Sequence, residues 1–163
     1  MIRDLTEHDL DSFIRIREDS LKLDPMSFGA SPFVKIDREE TLQRLREKNE
    51  SDFILGCFED YQLVGITGFV RYKNVKTKHK AFIWGVFVYE AFRGKKIGET
   101  LMTMCISRAR KLGLEKLLLG ASHTSDAAID LYKKLGFEEY GREVNAMKWE
   151  NKYIDEVLFE IRL

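Results

Sequence analysis

Cysteine is scarce in this chain, and the two that it has, Cys57 and Cys105, lie far apart. One falls in a predicted strand and the other in a predicted helix, without the close spacing that metal-binding cysteines share. Small proteins held together by disulfides carry a much higher share of cysteine. The sequence therefore argues against a disulfide framework and against a cysteine metal site. It predicts two buried thiols in a reducing compartment.

Long apolar runs and an excess of either charge are also absent. No stretch approaches the roughly 20 apolar residues of a membrane helix, and residues 1–4 lack a signal-peptide pattern. Lysine and arginine together number 27, as do aspartate and glutamate, so the formal net charge is zero. Proteins that bind nucleic acids or membrane surfaces usually carry an excess of positive charge. We therefore predict a cytoplasmic protein that binds neither.

What the chain does have is the length and patterning of an α/β (α+β) domain. Its 163 residues, 44% of them hydrophobic, suffice for one buried core, and we predict a single domain over residues 1–163. Hydrophobic periodicity predicts a mixed, mostly antiparallel sheet of about seven strands flanked by about four helices, with one strand–helix–strand crossover. The predicted strands are 2–5, 53–59, 62–72, 81–89, 116–121, 137–144 and 154–163, and the predicted helices are 7–23, 37–48, 97–112 and 125–135. Strand 81–89 is nearly all apolar, which predicts a central strand covered on both faces.

The most informative stretch is residues 86–101, where an apolar strand ends, a basic glycine-containing turn follows and an amphipathic helix begins. The first N–H groups of a helix have no partner within the helix, and its dipole favours negative charge there. The pattern therefore predicts an anion site. Gly94 and Gly98 are one residue too close for a Walker loop, and the G-x-G-x-x-G pattern of a dinucleotide site is missing.

Two segments resemble the GNAT superfamily of acetyl-CoA-dependent N-acetyltransferases. Residues 93–98 are similar to its pyrophosphate loop, Q/R-x-x-G-x-G/A, with Arg93 at the first position and Gly98 at the last. Lys96 replaces the middle glycine, at a position that needs a positive φ. Residues 128–137 are similar to the family's A-x-x-L-Y-x-x-x-G-F segment. The resemblance implies the family's fold and acetyl-CoA as co-substrate.

The resemblance also implies which groups hold acetyl-CoA. Strand residues Val86, Phe87 and Val88 would separate from the neighbouring strand and bind the pantetheine arm through free backbone groups, one N–H facing the thioester carbonyl. The loop would hold the pyrophosphate through backbone amides, while the lysine side chains either add charge or are solvated. The loop residues are Arg93, Gly94, Lys95, Lys96, Ile97, Gly98 and Glu99. Without the resemblance, this loop reads equally well as a simple helix start.

Tyr132 is the implied general acid, because its phenol would protonate the departing thiolate. A phenol with a pKa of about 10 stays protonated at neutral pH. The alternative is a core role, since Leu131 and Leu135 beside it have core character. Ser125 stands where many relatives carry an asparagine that bonds the pantetheine arm, and it either does the same or caps the helix.

The general base is not evident. Relatives that use a glutamate place it where this chain has Phe82 or Gly120. His123 is the nearby histidine, with an unperturbed pKa near 6.5, and the alternative is that it is merely solvated. Glu90 and water relays to bulk also stay open.

The predicted activity is direct acetyl transfer to a primary amine of a small molecule, an amino acid or a protein N-terminus. No cysteine lies near the loop to act as a covalent carrier. Residues 26–31, including Phe28, are the expected acceptor wall, with the turn near Lys152 and Tyr153 opposite. The alternative is a non-catalytic CoA-binding or regulatory module. Apolar residues of the tail strands would allow a homodimer.

Overall fold

The computed structural model describes all of residues 1–163 and contains one seven-stranded sheet flanked by four α-helices. The strands are β1 (Ile2–Asp4), β2 (Asp52–Glu59), β3 (Gln62–Arg71), β4 (Lys80–Val88), β5 (Lys116–Ser122), β6 (Glu138–Trp149) and β7 (Lys152–Arg162). The helices are α1 (Leu10–Leu23), α2 (Arg38–Arg46), α3 (Ile97–Lys111) and α4 (Asp126–Lys134), with single 3-10 turns at Glu7–Asp9 and Glu90–Phe92. The predicted fold class is confirmed. No helix combines the length and the apolar character needed to cross a membrane.

The strands are ordered β1-β2-β3-β4-β5-β7-β6, and only the β4–β5 pair is parallel. Helix α3 makes the predicted crossover between these two strands. Because β4 and β5 are parallel, their carboxyl ends lie at the same edge of the sheet, which brings the loops before α3 and α4 together.

Two apolar cores lie on opposite faces of the sheet. The larger has 22 buried residues and includes Leu101 and Met102 of α3 and Tyr132 of α4. The smaller has nine and includes Phe13 and Ile16 of α1. In α3 the buried residues recur at the i and i+4 spacing of one helix face, which is why this segment is helical against the sheet.

Strand β4 packs side chains into both cores, as predicted, but its second half is less completely buried than that of a fully covered strand. Ala81, Ile83 and Phe87 are buried, whereas Trp84 and Val86 are only half-buried. The reason is that β5 leaves β4 after three paired residues, Lys80–Phe82 against Lys116–Leu118. Beyond that point the β4 edge lines a gap in the sheet instead of a neighbouring strand.

Candidate active site

The gap between β4 and β5 opens into a cavity of about 690 Å³. Its walls come from the second half of β4, the loop before α3, the end of β5 and the start of α4. Of the predicted site residues, it is lined by Val86, Phe87, Val88, Arg93, Gly94, Lys96, Ile97, Gly98, Glu99, Ser125 and Tyr132. The two predicted residues that do not line it are Lys95 and His123. Segments distant in sequence therefore converge on one cavity, as the resemblance implied.

A bulge at Gly85 re-aims the β4 backbone where the gap begins. In a regular strand Ile83 and Phe87, four residues apart, would share a face, yet Ile83 packs in the α3 core and Phe87 in the α1 core. Gly85 has a φ of +63°, and the register against β3 shifts between Ile66 and Gly68. A positive φ is available to glycine without a steric cost. Beyond the bulge, the β5-facing edge of β4 has no strand partner.

The loop before α3 presents a row of unused donors. None of the backbone N–H groups of residues 94–99 donates to a protein acceptor, whereas Arg93 N–H and Thr100 N–H, on either side, do. Arg93 Nε donates to the carbonyl of Val88 at 3.1 Å, which ties the loop to the end of β4. Lys96 has a φ of +60°. This lysine therefore adopts the positive-φ backbone conformation for which the family motif has a glycine. Such a row of N–H groups at a helix N-terminus is an anion-binding arrangement.

Two charged side chains of this loop, those of Lys95 and Glu99, contact partners within the protein. Lys95 Nζ lies 5.2 Å from the centre of the Phe92 ring, outside the cavity lining. Glu99 pairs with Lys134 at 2.7 Å, and that lysine holds the pKa of the Glu99 carboxyl below its usual range. The loop offers anions its backbone more than its side chains.

Tyr132 combines a buried ring with an unbonded hydroxyl. Its ring packs 6.1 Å from the ring centres of Phe137 and Phe159. The hydroxyl makes no hydrogen bond within the protein, and the residue lines the cavity. Burial raises the pKa of Tyr132 above its usual value, so the phenol stays protonated at neutral pH. The ring therefore belongs to the core, and the general-acid role of the hydroxyl remains a prediction.

Ser125 precedes α4, but its side chain makes no capping hydrogen bond. It shares a 2.7 Å hydrogen bond with the hydroxyl of Ser27, which donates to Asp24 Oδ2 at 2.6 Å. Because the Ser27 proton goes to Asp24, Ser125 is the donor to Ser27, and its own oxygen can still accept a hydrogen bond. The capping alternative is therefore wrong, and the cavity-facing alternative remains a prediction.

His123 is held by β7 rather than by the cavity. The ring Nδ1 of His123 accepts a hydrogen bond from the backbone N–H of Asp155 at 2.9 Å. The backbone N–H of His123 donates to the Asp155 carbonyl at 3.0 Å. The lone pair of Nδ1 is thereby engaged, and the residue is absent from the cavity lining. The geometry does not favour His123 as the base.

A carboxylate that the sequence interpretation missed, Glu156 of β7, lies over Gly120, which lines the cavity, although Glu156 itself does not. A Cβ added to Gly120 would lie 2.8 Å from Glu156 Cδ, so the glutamate occupies the space that a β5 side chain would fill. Glu156 has no hydrogen-bond or ion-pair partner and is half-buried. Local sequence held no signal for this placement, because it depends on the β5–β7 register, in which Ser122 faces Glu156.

The expected acceptor wall is present only in part. Ser27 and Phe28 line the cavity, together with Asp24 before them. Residues 152 and 153 do not line it, and Trp149 of the same hairpin instead lies 6.0 Å from the Phe33 ring. A second cavity, of about 730 Å³, lies beside α2 and shares Trp84 with the first, but it contains neither the loop before α3 nor Tyr132.

Comparison with known proteins agrees with this arrangement. Residues 13–137 match the acetyltransferase (GNAT) family. The uncharacterized N-acetyltransferase YdgE of Bacillus subtilis is 40% identical over 58 residues, which are 36% of this chain and 37% of that protein. The uncharacterized N-acetyltransferase MJ1207 of Methanocaldococcus jannaschii is 28% identical over 140 residues, 85% of this chain and 60% of that protein. The matches thus span less than two thirds of the length of either relative.

A solved acetyltransferase of Salmonella typhimurium, determined with its cofactor acetyl-CoA, has the same fold. It superposes with a TM-score of 0.88 at 18% identity, covering 100% of this chain and 93% of that one. The family match extends over most of the chain and includes the loop before α3 and the Tyr132 segment. The chain belongs to the acetyltransferase (GNAT) family.

Proposed function

We propose that residues 1–163 act as a single N-acetyltransferase domain that moves an acetyl group from acetyl-CoA to a primary amine by direct transfer. One observation carries the proposal. A single cavity joins an unpaired strand edge, five loop residues whose backbone N–H groups are free, and Tyr132 with its unbonded hydroxyl. The strand edge can hold the pantetheine arm of acetyl-CoA, the loop N–H groups can bind its phosphates, and the hydroxyl can protonate the leaving thiolate.

The cavity walls fit acetyl-CoA, which supplies an acetyl thioester. The N–H groups of residues 94–99 would bind the pyrophosphate, and the free edge of β4 at Val86–Val88 would bind the amides of the arm. The oxygen of Ser125 can accept one further hydrogen bond from the arm. The phenol of Tyr132, protonated because burial raises its pKa, would give its proton to the leaving sulfur.

Direct transfer is favoured because the chain offers no cysteine as a covalent carrier. Cys57 and Cys105 are both buried as free thiols, as predicted, and neither lines the cavity. Burial raises the pKa of Cys105 to about 12, which keeps it protonated and unreactive.

Glu156 is the proposed base for the acceptor ammonium. It places an unpartnered carboxylate over Gly120, where some relatives carry a glutamate on the strand itself. In this chain the carboxylate would instead come from β7, the strand next to β5. A carboxylate without a cationic partner is free to accept the ammonium proton, directly or through one water.

Replacing Glu156 with Gln should lower kcat/KM for the amine about tenfold at neutral pH, because a water relay replaces the base only in part. Acetyl-CoA affinity should stay within about twofold, since the change leaves the loop intact. The measurement is thiol release at neutral pH over a range of amine concentrations. Glu138→Gln is the matched control, because Glu138 is an exposed glutamate of β6 that lies opposite Glu160 rather than Glu156. Equal kcat/KM values for Glu156→Gln and wild type would remove Glu156 from the mechanism.

Thiol release from acetyl-CoA across small amines, amino acids and peptides tests the activity as a whole. Acetyl-dependent release with at least one class supports the proposal. Tight acetyl-CoA binding without release on any of them would support a non-catalytic CoA-binding module instead.

A further inference from the structure

Arg17 of α1 is a cation held beside the cavity by two aromatic rings. Its Cζ lies 5.4 Å from the centre of the Phe28 ring and 5.8 Å from that of Trp84, and both of these residues line the cavity. A Cβ added to Gly85, at the β4 bulge, would lie 3.4 Å from Arg17 Nη1. The guanidinium therefore sits on the α1 face of the sheet, at the start of the gap between β4 and β5. Flanking aromatic rings hold a guanidinium in place while leaving its N–H edge available.

No carboxylate pairs with this guanidinium. Its one side-chain hydrogen bond is a long one, 3.5 Å from Nη1 to Ser20 Oγ. The nearby Asp19 instead accepts the hydroxyl of Tyr89 at 2.6 Å, and Asp24 accepts that of Ser27 at 2.6 Å. Burial lowers the pKa of Arg17 without an acid to compensate. Nε and Nη2 make no hydrogen bond yet keep solvent contact, so two donors are open to a ligand.

Arg44 provides the contrast within the same chain. It also lies over the Trp84 ring, with Cζ 4.5 Å from the ring centre, but it donates to Asp52 at 2.9 Å. The other arginines without a carboxylate partner are exposed or, in the case of Arg71, bonded to a carbonyl. Withdrawing a cation from water without an anion lowers stability, and an anionic ligand would restore the balance. Arg17 is placed to receive such a ligand.

Charges of opposite sign flank the gap between β4 and β5, each against a glycine of the cavity lining, although neither Arg17 nor Glu156 lines the cavity itself. Gly85 and Gly120 lie on the two strands that bound the gap, with Arg17 against the first and Glu156 over the second. Gly120 and Glu156 project from the sheet face opposite the α3 core, because Leu119 and Val157, next to them in sequence, are in that core. This is the face on which α1 and Arg17 lie. An acceptor whose ammonium approaches Glu156 therefore has a cation opposite it.

We infer that Arg17 binds a carboxylate of the acceptor, and that the acceptor is an aminocarboxylate rather than a polyamine or an uncharged amine. The inference rests on the proposed function and narrows its substrate class. Arg17 would donate hydrogen bonds from its open Nε and Nη2 to the carboxylate, which forms a charge-assisted pair in a partly desolvated environment. The ammonium end would then lie toward Glu156, on the other side of the gap.

The test compares acceptors that differ only in the carboxylate, namely amino acids and their amides, and dipeptides with an acidic or a neutral second residue. In each pair, the acceptor that carries the carboxylate should have a kcat/KM with wild type at least about tenfold higher than that of its partner, as expected for a hydrogen bond to a charged group. The amino acids and their amides test an α-carboxylate as the group that Arg17 binds, and the dipeptides test an acidic side chain. Equal use of acids and amides would overturn the inference.

Arg17→Gln should abolish the preference by lowering kcat/KM for the carboxylate acceptors about tenfold, with the amides unchanged. Its Tm without ligand should equal or exceed that of wild type, because an unpaired half-buried cation is removed. Arg15→Gln, an exposed position on the same helix, is the control and should keep the preference. A lower Tm together with an equal loss on acids and amides would assign Arg17 a structural role and overturn the inference.

A second measurement keeps the two proposals separate. Saturating aminocarboxylate should raise the Tm of wild type but not of Arg17→Gln in the absence of acetyl-CoA. If no amine is acetylated, the proposed function fails, and this shift still decides the inference. An equal shift in both proteins, or none in either, counts against Arg17.

Discussion

Tyr132→Phe should lower kcat about 100-fold, the range in which a positioned general acid contributes. The hydroxyl has no hydrogen-bond partner within the protein, so its removal costs no internal bond, and the ring contacts with Phe137 and Phe159 are kept. The free energy of unfolding should therefore change little. The Kd for acetyl-CoA should stay within about twofold, because the loop and the β4 edge are unchanged. Steady-state thiol release, calorimetric titration and thermal unfolding measure the three quantities.

Tyr140→Phe is the control for Tyr132→Phe. Tyr140 lies on β6 and is exposed, so this variant should have wild-type kcat. A wild-type kcat for Tyr132→Phe would exclude the phenol as the acid. A 100-fold loss accompanied by a large drop in Tm would instead assign Tyr132 to the core alone.

Gly98→Pro should weaken acetyl-CoA binding about 100-fold or more. Gly98 is the second residue of α3, and its N–H is one of the unused donors of the loop. Proline removes that donor yet is tolerated in the first turn of a helix, so the fold should persist. A hydrogen bond to a charged group is worth about 1.5–3 kcal/mol, and the proline ring also crowds the approach. Calorimetric titration with acetyl-CoA measures the loss, and circular dichroism checks α3.

Two further variants separate the backbone of this loop from its charge. Gly98→Ala keeps the N–H and adds a Cβ 3.4 Å from Leu131 Cδ2, an ordinary contact, so its affinity should stay near wild type. Lys96→Ala removes an exposed charge but keeps both the N–H and a non-glycine residue at φ +60°, so affinity should change by less than about threefold. If Lys96→Ala weakens binding as much as Gly98→Pro, the lysine side chain rather than the amide row binds the phosphates.

The placement of Glu156 bears on how this chain could supply a base. Gly120 and Phe82 stand where relatives carry carboxylates, which suggests on sequence alone that the base is lost. In the proposed arrangement the carboxylate is supplied by β7, the strand next to β5, and Gly120 leaves the space that it occupies. Gly120→Glu should therefore not be a neutral restoration, because its side chain would collide with Glu156.

The sequence by itself determined the elements and the anion loop. Helices and strands follow from periodicities that span a few residues, and the loop before α3 follows from the adjacency of a strand end, Gly94, Gly98 and a helix start. Its donor row is a consequence of helix geometry, since the first N–H groups of any helix lack internal partners. The crossover between β4 and β5 was likewise foreseeable from the order of the elements.

Only the tertiary structure decided which charged groups lie beside the cavity. Glu156 reaches Gly120 through the register of two strands far apart in sequence, and Arg17 reaches the β4 bulge through the docking of α1. His123, a neighbour of the site in sequence, is drawn to Asp155 instead. Such contacts depend on how whole elements pack, which is settled by the burial of both cores rather than by any local pattern. Local periodicity thus specifies which segments form the site, and packing specifies its chemistry.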